Sequence, residues 1–151
     1  MRVVLQRVTE ASVKVDGEVI SKINRGLLVF LGISRDDSEK DFNYIANKIA
    51  NLRIFQDDNG KFNLSLLNVR GDVLIVSQFT LYGDCRKGRR PSFDKAGKVE
   101  DSRKIYIDFI NFFRSQYKDI KIKEGIFQAD MEVSLVNDGP VTFILDSEKI
   151  L

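Results

Sequence analysis

The sequence contains three groups of residues whose types and spacing could do chemistry, and the first is Ser77-Gln78-Phe79-Thr80. This polar segment directly follows the apolar run Val73-Leu74-Ile75-Val76. Hydroxyl and amide groups at the end of a buried strand can face a cleft at the edge of a sheet, where they bind or attack a substrate. The alternative is that the strand simply leaves the core there, so that the hydroxyls only satisfy nearby backbone groups.

The second group lies between Val136 and Thr142 and contains the pair Gly139-Pro140. By residue type, this segment is an ordinary hairpin turn. Glycine has no side chain and proline has no amide donor, so the carbonyls of this pair can also approach a ligand closely. The isomer of the bond is not fixed by the sequence, because about 5–6% of X-Pro bonds in folded proteins are cis.

The third group is a basic loop that runs from Gly83 to Lys98. Its six basic residues outnumber two acidic ones, so it carries +4, whereas the whole chain carries +2 and the remainder therefore −2. A positive loop on a slightly acidic body is suited to phosphates or another anionic partner. The free thiol of Cys85 lies in this loop, and we interpret it as an incidental small residue rather than a nucleophile.

The composition excludes several familiar catalytic sites. The chain has 151 residues, no histidine and one cysteine. Without histidine it cannot build a Ser-His-Asp or Cys-His unit or a histidine metal site. One cysteine cannot form an intramolecular disulfide or a cysteine-rich zinc site. With no secretory or membrane-spanning segment in the sequence, we expect a cytoplasmic protein that is not inserted in a membrane.

The hydrophobic pattern predicts an α/β fold, a single-domain sandwich of mixed β-sheets with two main helices, over residues 1–151. Asp138-Gly139-Pro140 is predicted to join the last two strands. The predicted helices span residues 38–51, with Ser38 and Asp41 as a capping box, and 100–117. The predicted strands are 3–8, 11–15, 27–33, 72–80, 120–123, 131–137 and 141–145.

The motifs together resemble the D-aminoacyl-tRNA deacylase family, of the D-tyrosyl-tRNA deacylase type. The similarity is carried by Ser77–Tyr82, Arg86–Phe93, Asn137–Thr142 and the opening Met1–Val8, and it extends from residue 1 to about residue 146. Each motif alone is weak evidence for this family, whereas their joint occurrence in this order is specific to it. Two positions depart from the family pattern: Gln128 stands where a small residue is usual, and Cys85 where threonine is common.

The resemblance implies a homodimeric hydrolase that needs no metal or cofactor. It would cleave the ester between a D-amino acid, or glycine, and the 3′-terminal adenosine of tRNA. Gly139-Pro140 would be a cis-proline motif that enters the pocket of the partner subunit and leaves no room for an L side chain. The implied catalytic residues are Ser77, Gln78, Phe79 and Thr80. The residues expected to bind tRNA are Arg86, Lys87, Arg89 and Arg90 in the basic loop, together with Phe127 and Met131, for which a core role is an equal alternative.

Two mechanisms fit a site without histidine. In the first, Thr80 is a nucleophile, but it needs an activating base that the motif does not contain. In the second, the 2′-hydroxyl of the substrate assists attack by water, while backbone donors near Gln78 and Phe79 stabilise the oxyanion. We favour the second mechanism, because positioning and oxyanion donors alone give useful acceleration. The basic loop by itself also fits a different function, that of a non-catalytic RNA-binding protein.

Overall fold

The computed structural model describes residues 1–150, which are organised around one six-stranded sheet. The strand order is β2-β1-β3-β6-β7, and β8 pairs with β1 along its other edge. The strands of this sheet are β1 (Arg2–Val15), β2 (Glu18–Ile23), β3 (Gly26–Gly32), β6 (Asp72–Ser77), β7 (Ile122–Glu124) and β8 (Glu132–Asp146). Strands β4 (Phe55–Gln56) and β5 (Phe62–Leu64) form a separate small ladder. The α-helices are α1 (Glu39–Asn51), α2 (Leu66–Val69) and α3 (Val99–Gln116). The predicted mixed α/β fold is confirmed.

Strands β3 and β6 are the buried centre of the sheet. They pair in parallel, and almost all of their side chains are buried, as expected for strands covered on both faces. Because side chains alternate along a strand, Val29 and Ile75 pack into the cluster that includes the helices. Leu28 and Leu74 pack into a second cluster on the opposite face. The strand predicted at residues 27–33 is therefore confirmed, and it is buried on both sides.

The two main helices cover one face of the sheet. The backbone N–H of Ser38 donates to the carboxylate of Asp41 over 2.8 Å, and this capping box begins α1. Helix α1 buries Ile45 and Ile49, and α3 buries a corresponding stripe that includes Phe109. Both predicted helices are confirmed to within one residue at each end. The short helix α2 was not predicted. No helix within residues 1–150 is long and apolar enough to cross a lipid bilayer.

The prediction of a turn at Asp138-Gly139-Pro140 is wrong. These residues lie inside β8, which runs without interruption from Glu132 to Asp146. Similarly, β1 is one strand of 14 residues rather than two short ones. The two long strands pair with each other along their length, and two shifts of register near Val8 take up the irregular segment. Because the ladder continues on both sides of residues 138–140, this turn-like sequence forms a bulge within the strand.

The strand predicted to reach Thr80 ends earlier, at Ser77. Its last residue pair with the neighbouring strand β3 is Ser77 with Leu31. The backbone N–H of Gln78 makes one further bond to the Leu31 carbonyl, at 2.8 Å. The chain then turns into a 3₁₀ helix, Phe79–Tyr82, at the end of the sheet.

Candidate active site

The polar segment that follows β6 forms a compact exposed corner. Ser77 is the last strand residue and is half-buried, Gln78 caps the 3₁₀ helix, and Phe79 and Thr80 are exposed. The side-chain amide of Gln78 donates a hydrogen bond to the hydroxyl oxygen of Thr80 over 2.5 Å. The structure thus brings together the four residues expected to be catalytic.

The start of the 3₁₀ helix presents backbone donors at this corner. The first N–H groups of a helix have no acceptor within it, and here these belong to Phe79 and Thr80. The next amide, that of Leu81, donates to the Gln78 carbonyl over 3.3 Å. Since the N–H of Gln78 is bonded to Leu31, the amides of Phe79 and Thr80, rather than that of Gln78, can stabilise an oxyanion.

The hydroxyl of Thr80 has no base beside it among the described residues. Its hydrogen-bond partner within residues 1–150 is the amide of Gln78. A carboxamide donates and accepts hydrogen bonds but does not take up a proton near neutral pH. A nucleophilic threonine needs such a proton acceptor, so the geometry disfavours Thr80 as the attacking group.

The basic loop lies directly against this corner. Asp84 and Ser92 pair across the loop through two backbone hydrogen bonds, of 2.7 and 3.0 Å. Just beyond this pair, the ring of Phe93 packs on the ring of Phe79 with a centroid separation of 5.0 Å. The structure therefore connects the predicted loop to the predicted catalytic segment through an aromatic contact that the sequence did not indicate.

Gly139 and Pro140 lie exposed on β8, and the peptide bond between them is cis. The side chain of Asn137 bridges this pair, since its oxygen accepts from the Val141 N–H over 2.7 Å and its nitrogen donates to the Val141 carbonyl over 3.1 Å. This amide thus replaces the ladder bonds that the irregular segment lacks. It holds the exposed pair in a fixed position on the strand.

A buried arginine, Arg7, also holds the irregular segment of β8 in place. Arg7 is only 4% exposed, and it donates to the backbone carbonyl of Asp138 over 2.9 Å and to that of Ile54 over 2.7 Å. It also pairs with the Asp138 carboxylate at 3.2 Å. Sequence reasoning missed this residue. The signal was an arginine at an inward position of β1, in register with the buried residues Val3 and Leu5.

Within one chain, Gly139-Pro140 does not join the corner at Ser77–Thr80. Strands β1 and β3 lie between β8 and β6, so the two motifs are three strand spacings apart, each of about 4.8 Å. They also lie at different heights, because the pairing places Ser77 level with Leu31 and Val3, whereas Gly139 is near the level of Arg7.

Phe127 reaches the same end of the sheet as Ser77, because it follows β7, which is parallel to β6. Its ring packs on Tyr106 at 5.6 Å, and the guanidinium of Arg103 lies 5.1 Å from its centre. Gln128 has a φ of 68°, and its side-chain oxygen accepts a hydrogen bond from Arg103 over 3.0 Å. The residue that departs from the family pattern is thus anchored beside Phe127.

Met131 packs against the second core cluster rather than standing free. An added Cβ at Gly125 would lie only 2.6 Å from the Met131 sulfur. The glycine therefore makes room for this side chain. Neither Phe127 nor Met131 is fully buried, so both keep some exposed surface. Among residues 1–150, no three histidine, cysteine, aspartate or glutamate side chains are grouped to hold a metal ion.

Comparison with known proteins adds independent observations. The family model described as D-Tyr-tRNA(Tyr) deacylase matches residues 4–146. A D-aminoacyl-tRNA deacylase of Dictyoglomus turgidum is 57% identical over 150 residues, which are 99% of this chain and 95% of the relative. One of Thermosipho africanus is 55% identical over 150 residues, covering 99% of each chain.

Two solved structures share the fold. The structure titled c-Myc DNA Unwinding Element Binding Protein has 44% sequence identity and a TM-score of 0.92, and the match covers 97% of this chain and 98% of that one. The structure of a probable eukaryotic D-amino acid tRNA deacylase has 19% identity and a TM-score of 0.80, with coverage of 95% and 97%. At that identity, the second match bears on the fold alone.

Proposed function

Because this chain belongs to the D-Tyr-tRNA(Tyr) deacylase family, whose model matches residues 4–146, we propose that it hydrolyses the ester bond of D-aminoacyl-tRNA. Its enzyme class is that of a hydrolase acting on esters, and the products are a free D-amino acid and tRNA. The observation that carries the proposal is the match of 55–57% identity over 99% of the chain to D-aminoacyl-tRNA deacylases. We expect the reaction to take place in the cytoplasm, where aminoacyl-tRNA is used.

In the proposed reaction, the ester carbonyl lies against the corner formed by Ser77–Thr80. Its oxygen becomes negative as water attacks, and the N–H groups of Phe79 and Thr80 stabilise that charge. One well-placed donor of this kind lowers the barrier by about 2.7–4 kcal/mol. The 2′-hydroxyl of the terminal ribose assists the attacking water, so the protein needs no histidine and no covalent intermediate.

For chirality, we propose a homodimer in which Gly139-Pro140 of one subunit enters the pocket of the other. Its backbone carbonyls hold the amino group of the substrate and exclude an L side chain, whereas glycine has no side chain to exclude. The separation of the two motifs within one chain supports this arrangement. So does the exposed apolar surface of the long edge strand β8, where Val136 is 50% and Ile144 60% exposed.

A deacylation assay tests the proposed function. The purified protein is incubated with D-tyrosyl-tRNA, L-tyrosyl-tRNA and glycyl-tRNA, and the released amino acid is measured over time. We expect release from the D-tyrosyl and glycyl substrates and none above background from the L-tyrosyl substrate. Absence of release from all three substrates would contradict the proposed hydrolysis. Equal release from the D and L substrates would contradict only the proposed exclusion of L-aminoacyl-tRNA.

The second candidate is a nucleic-acid-binding protein without catalytic activity. It is favoured by the net charge of +4 on the basic loop and by the similarity to the structure named as a DNA unwinding element binding protein. The same assay separates the two functions. A binding protein would retain the tRNA in a filter or gel assay but would release no amino acid.

A further inference from the structure

The basic loop has two parts. Its base, at Asp84 and Arg86, is held by internal hydrogen bonds, whereas its tip, residues 87–90, is exposed. At the base, Asp84 accepts three hydrogen bonds from Arg86: from its backbone N–H at 3.0 Å, from Nε at 2.9 Å and from Nη2 at 2.6 Å. The Arg86 side-chain hydrogen bond also holds the pKa of the Asp84 carboxyl well below its usual range. Arg86 therefore has its charge matched inside the loop, and it acts as a brace rather than as a free cation.

The tip carries three cations in four positions. Lys87, Arg89 and Arg90 are exposed, and none of them forms an ion pair with another residue within 1–150. Between them, Gly88 has a φ of 68°, in the left-handed region, and an added Cβ there would have no neighbour within 4 Å. The glycine turns the chain at the tip, where three unpaired positive side chains lie within four consecutive positions. Such a cluster fits neighbouring phosphates on one strand.

A partly exposed aromatic pair connects the basic loop, through Phe93, to the catalytic corner, through Phe79. Phe79 is 59% and Phe93 37% exposed, although phenylalanine is usually buried. The position of Phe93 is fixed, because its ring packs on Phe79 and lies 3.1 Å from where a Cβ on Gly83 would be. Exposed aromatic rings beside basic residues are the arrangement with which proteins stack single-stranded bases.

We propose that the loop tip and Phe93 form a subsite for the unpaired nucleotides that precede the terminal adenosine of tRNA. Lys87, Arg89 and Arg90 bind the phosphates of those nucleotides, and the ring of Phe93 stacks one of their bases. This inference rests on the proposed function. The proposed subsite binds only the nucleotides that precede the terminal adenosine, whereas the corner at Ser77–Thr80 binds the ester.

The test compares a long and a short substrate. D-Tyrosyl-tRNA carries the upstream nucleotides, whereas 3′-O-D-tyrosyl-adenosine lacks them. For Arg89→Gln/Arg90→Gln and for Phe93→Leu, we expect the ratio of kcat/KM on the tRNA to kcat/KM on the adenosine ester to fall by about tenfold. The control is Lys118→Gln/Lys121→Gln, which removes two exposed cations near the opposite end of β6 and is expected to leave the ratio unchanged.

A binding measurement on intact tRNA gives a second readout that does not depend on the short ester. In the double arginine variant, the slope of log K against log salt should decrease by about 0.7 for each phosphate that the protein no longer binds. Phe93→Leu should weaken binding without changing the slope. A wild-type ratio of kcat/KM in both variants, together with a wild-type salt slope in the double arginine variant, would overturn the subsite. A wild-type protein that hydrolyses neither substrate would instead contradict the proposed function, and the subsite with it.

Discussion

The hydroxyl of Thr80 accepts a hydrogen bond from Gln78 and has no base beside it within residues 1–150. We therefore expect Thr80→Ala to keep kcat/KM for D-tyrosyl-tRNA within about tenfold of the wild type, because only an orienting hydrogen bond is removed. A substrate that ends in 2′-deoxyadenosine should react about 100-fold more slowly or worse, since the assisting hydroxyl is missing. Both rates are measured by single-turnover release of tyrosine.

Two controls make this result decisive. Thr80→Ser retains the hydroxyl, so it shows whether any loss of activity in the alanine variant comes from that group. The melting temperature shows whether each variant is folded. A folded Thr80→Ala protein without activity would restore threonine as the nucleophile.

Two buried tyrosines provide a matched test of hydrogen bonding in the core. The hydroxyl of Tyr106 donates to the Ile75 carbonyl over 2.9 Å, whereas the buried hydroxyl of Tyr82 has no partner among residues 1–150. Burial is also the main reason that the pKa of each phenol is raised. Tyr106→Phe should lower the free energy of unfolding by about 0.5–1.5 kcal/mol, because it removes a buried hydrogen bond, while the Ile75 carbonyl still accepts from the Gly125 N–H over 2.9 Å.

Tyr82→Phe should leave the free energy of unfolding unchanged or raise it by about 1 kcal/mol, because it removes an unsatisfied polar group. Urea unfolding followed by circular dichroism measures both variants under the same conditions. A comparable loss of stability in the two variants would show that the Tyr82 hydroxyl has a partner after all.

At the scale of elements, Asn137 substitutes for missing ladder bonds across the irregular part of β8. Asn137→Ala should lower the free energy of unfolding by about 1–3 kcal/mol, since it removes three hydrogen bonds, two with the Val141 backbone and one to the Thr142 hydroxyl. It should also raise KM for D-tyrosyl-tRNA, because Gly139 and Pro140 are no longer fixed. Ser134→Ala, at an exposed position of the same strand, is the matched control.

Unfolding in urea and steady-state kinetics together check this prediction. Asn137→Asp keeps the oxygen that accepts from Val141 but removes the donor, so an intermediate effect is expected. Wild-type stability and KM in the alanine variant would show that the strand holds its shape without the side-chain bridge.

The elements themselves show where sequence reasoning succeeds and where it does not. The apolar run at β3 and the periodicity of α1 and α3 depend on local patterns, and they were predicted correctly. Residues 138–140 have the composition of a turn, but their conformation is decided by pairing with β1, which lies more than 120 residues earlier in the chain. The end of β6 was also missed, because it depends on pairing with β3, which lies about 45 residues earlier in the chain.

The features of the candidate site also fall into those that the sequence indicated and those that only the structure shows. The segment Ser77–Thr80 was found from its residue types and its position after an apolar strand. The packing of Phe93 on Phe79 and the bracing of Asp138 by Arg7 are tertiary contacts without a local pattern. An inward arginine in a strand was a visible anomaly, but its partner carbonyls belong to distant segments that only the folded chain brings near.

At the scale of the whole molecule, the two proposed parts of the site lie on well-separated strands of one chain. The corner at Ser77–Thr80 lacks the rigid carbonyl pair, and Gly139-Pro140 lies exposed on β8, away from that corner. A closed two-fold dimer can unite each corner with the pair from the other chain, and a two-fold axis does so twice. In the proposed dimer, each active site is complete only when two chains associate.

Complementation between two inactive variants tests this arrangement. Phe79→Pro removes a proposed oxyanion donor at the first helical position, where proline is tolerated, and Pro140→Tyr places a bulky ring in the pocket of the partner. Each variant alone should be inactive. When the two are co-expressed, random assembly makes half of the dimers mixed, and each mixed dimer contains one intact site. We therefore expect about one quarter of the wild-type activity per chain, with native mass spectrometry confirming the mixed dimers. Mixed dimers without activity would show that both motifs act within the same chain.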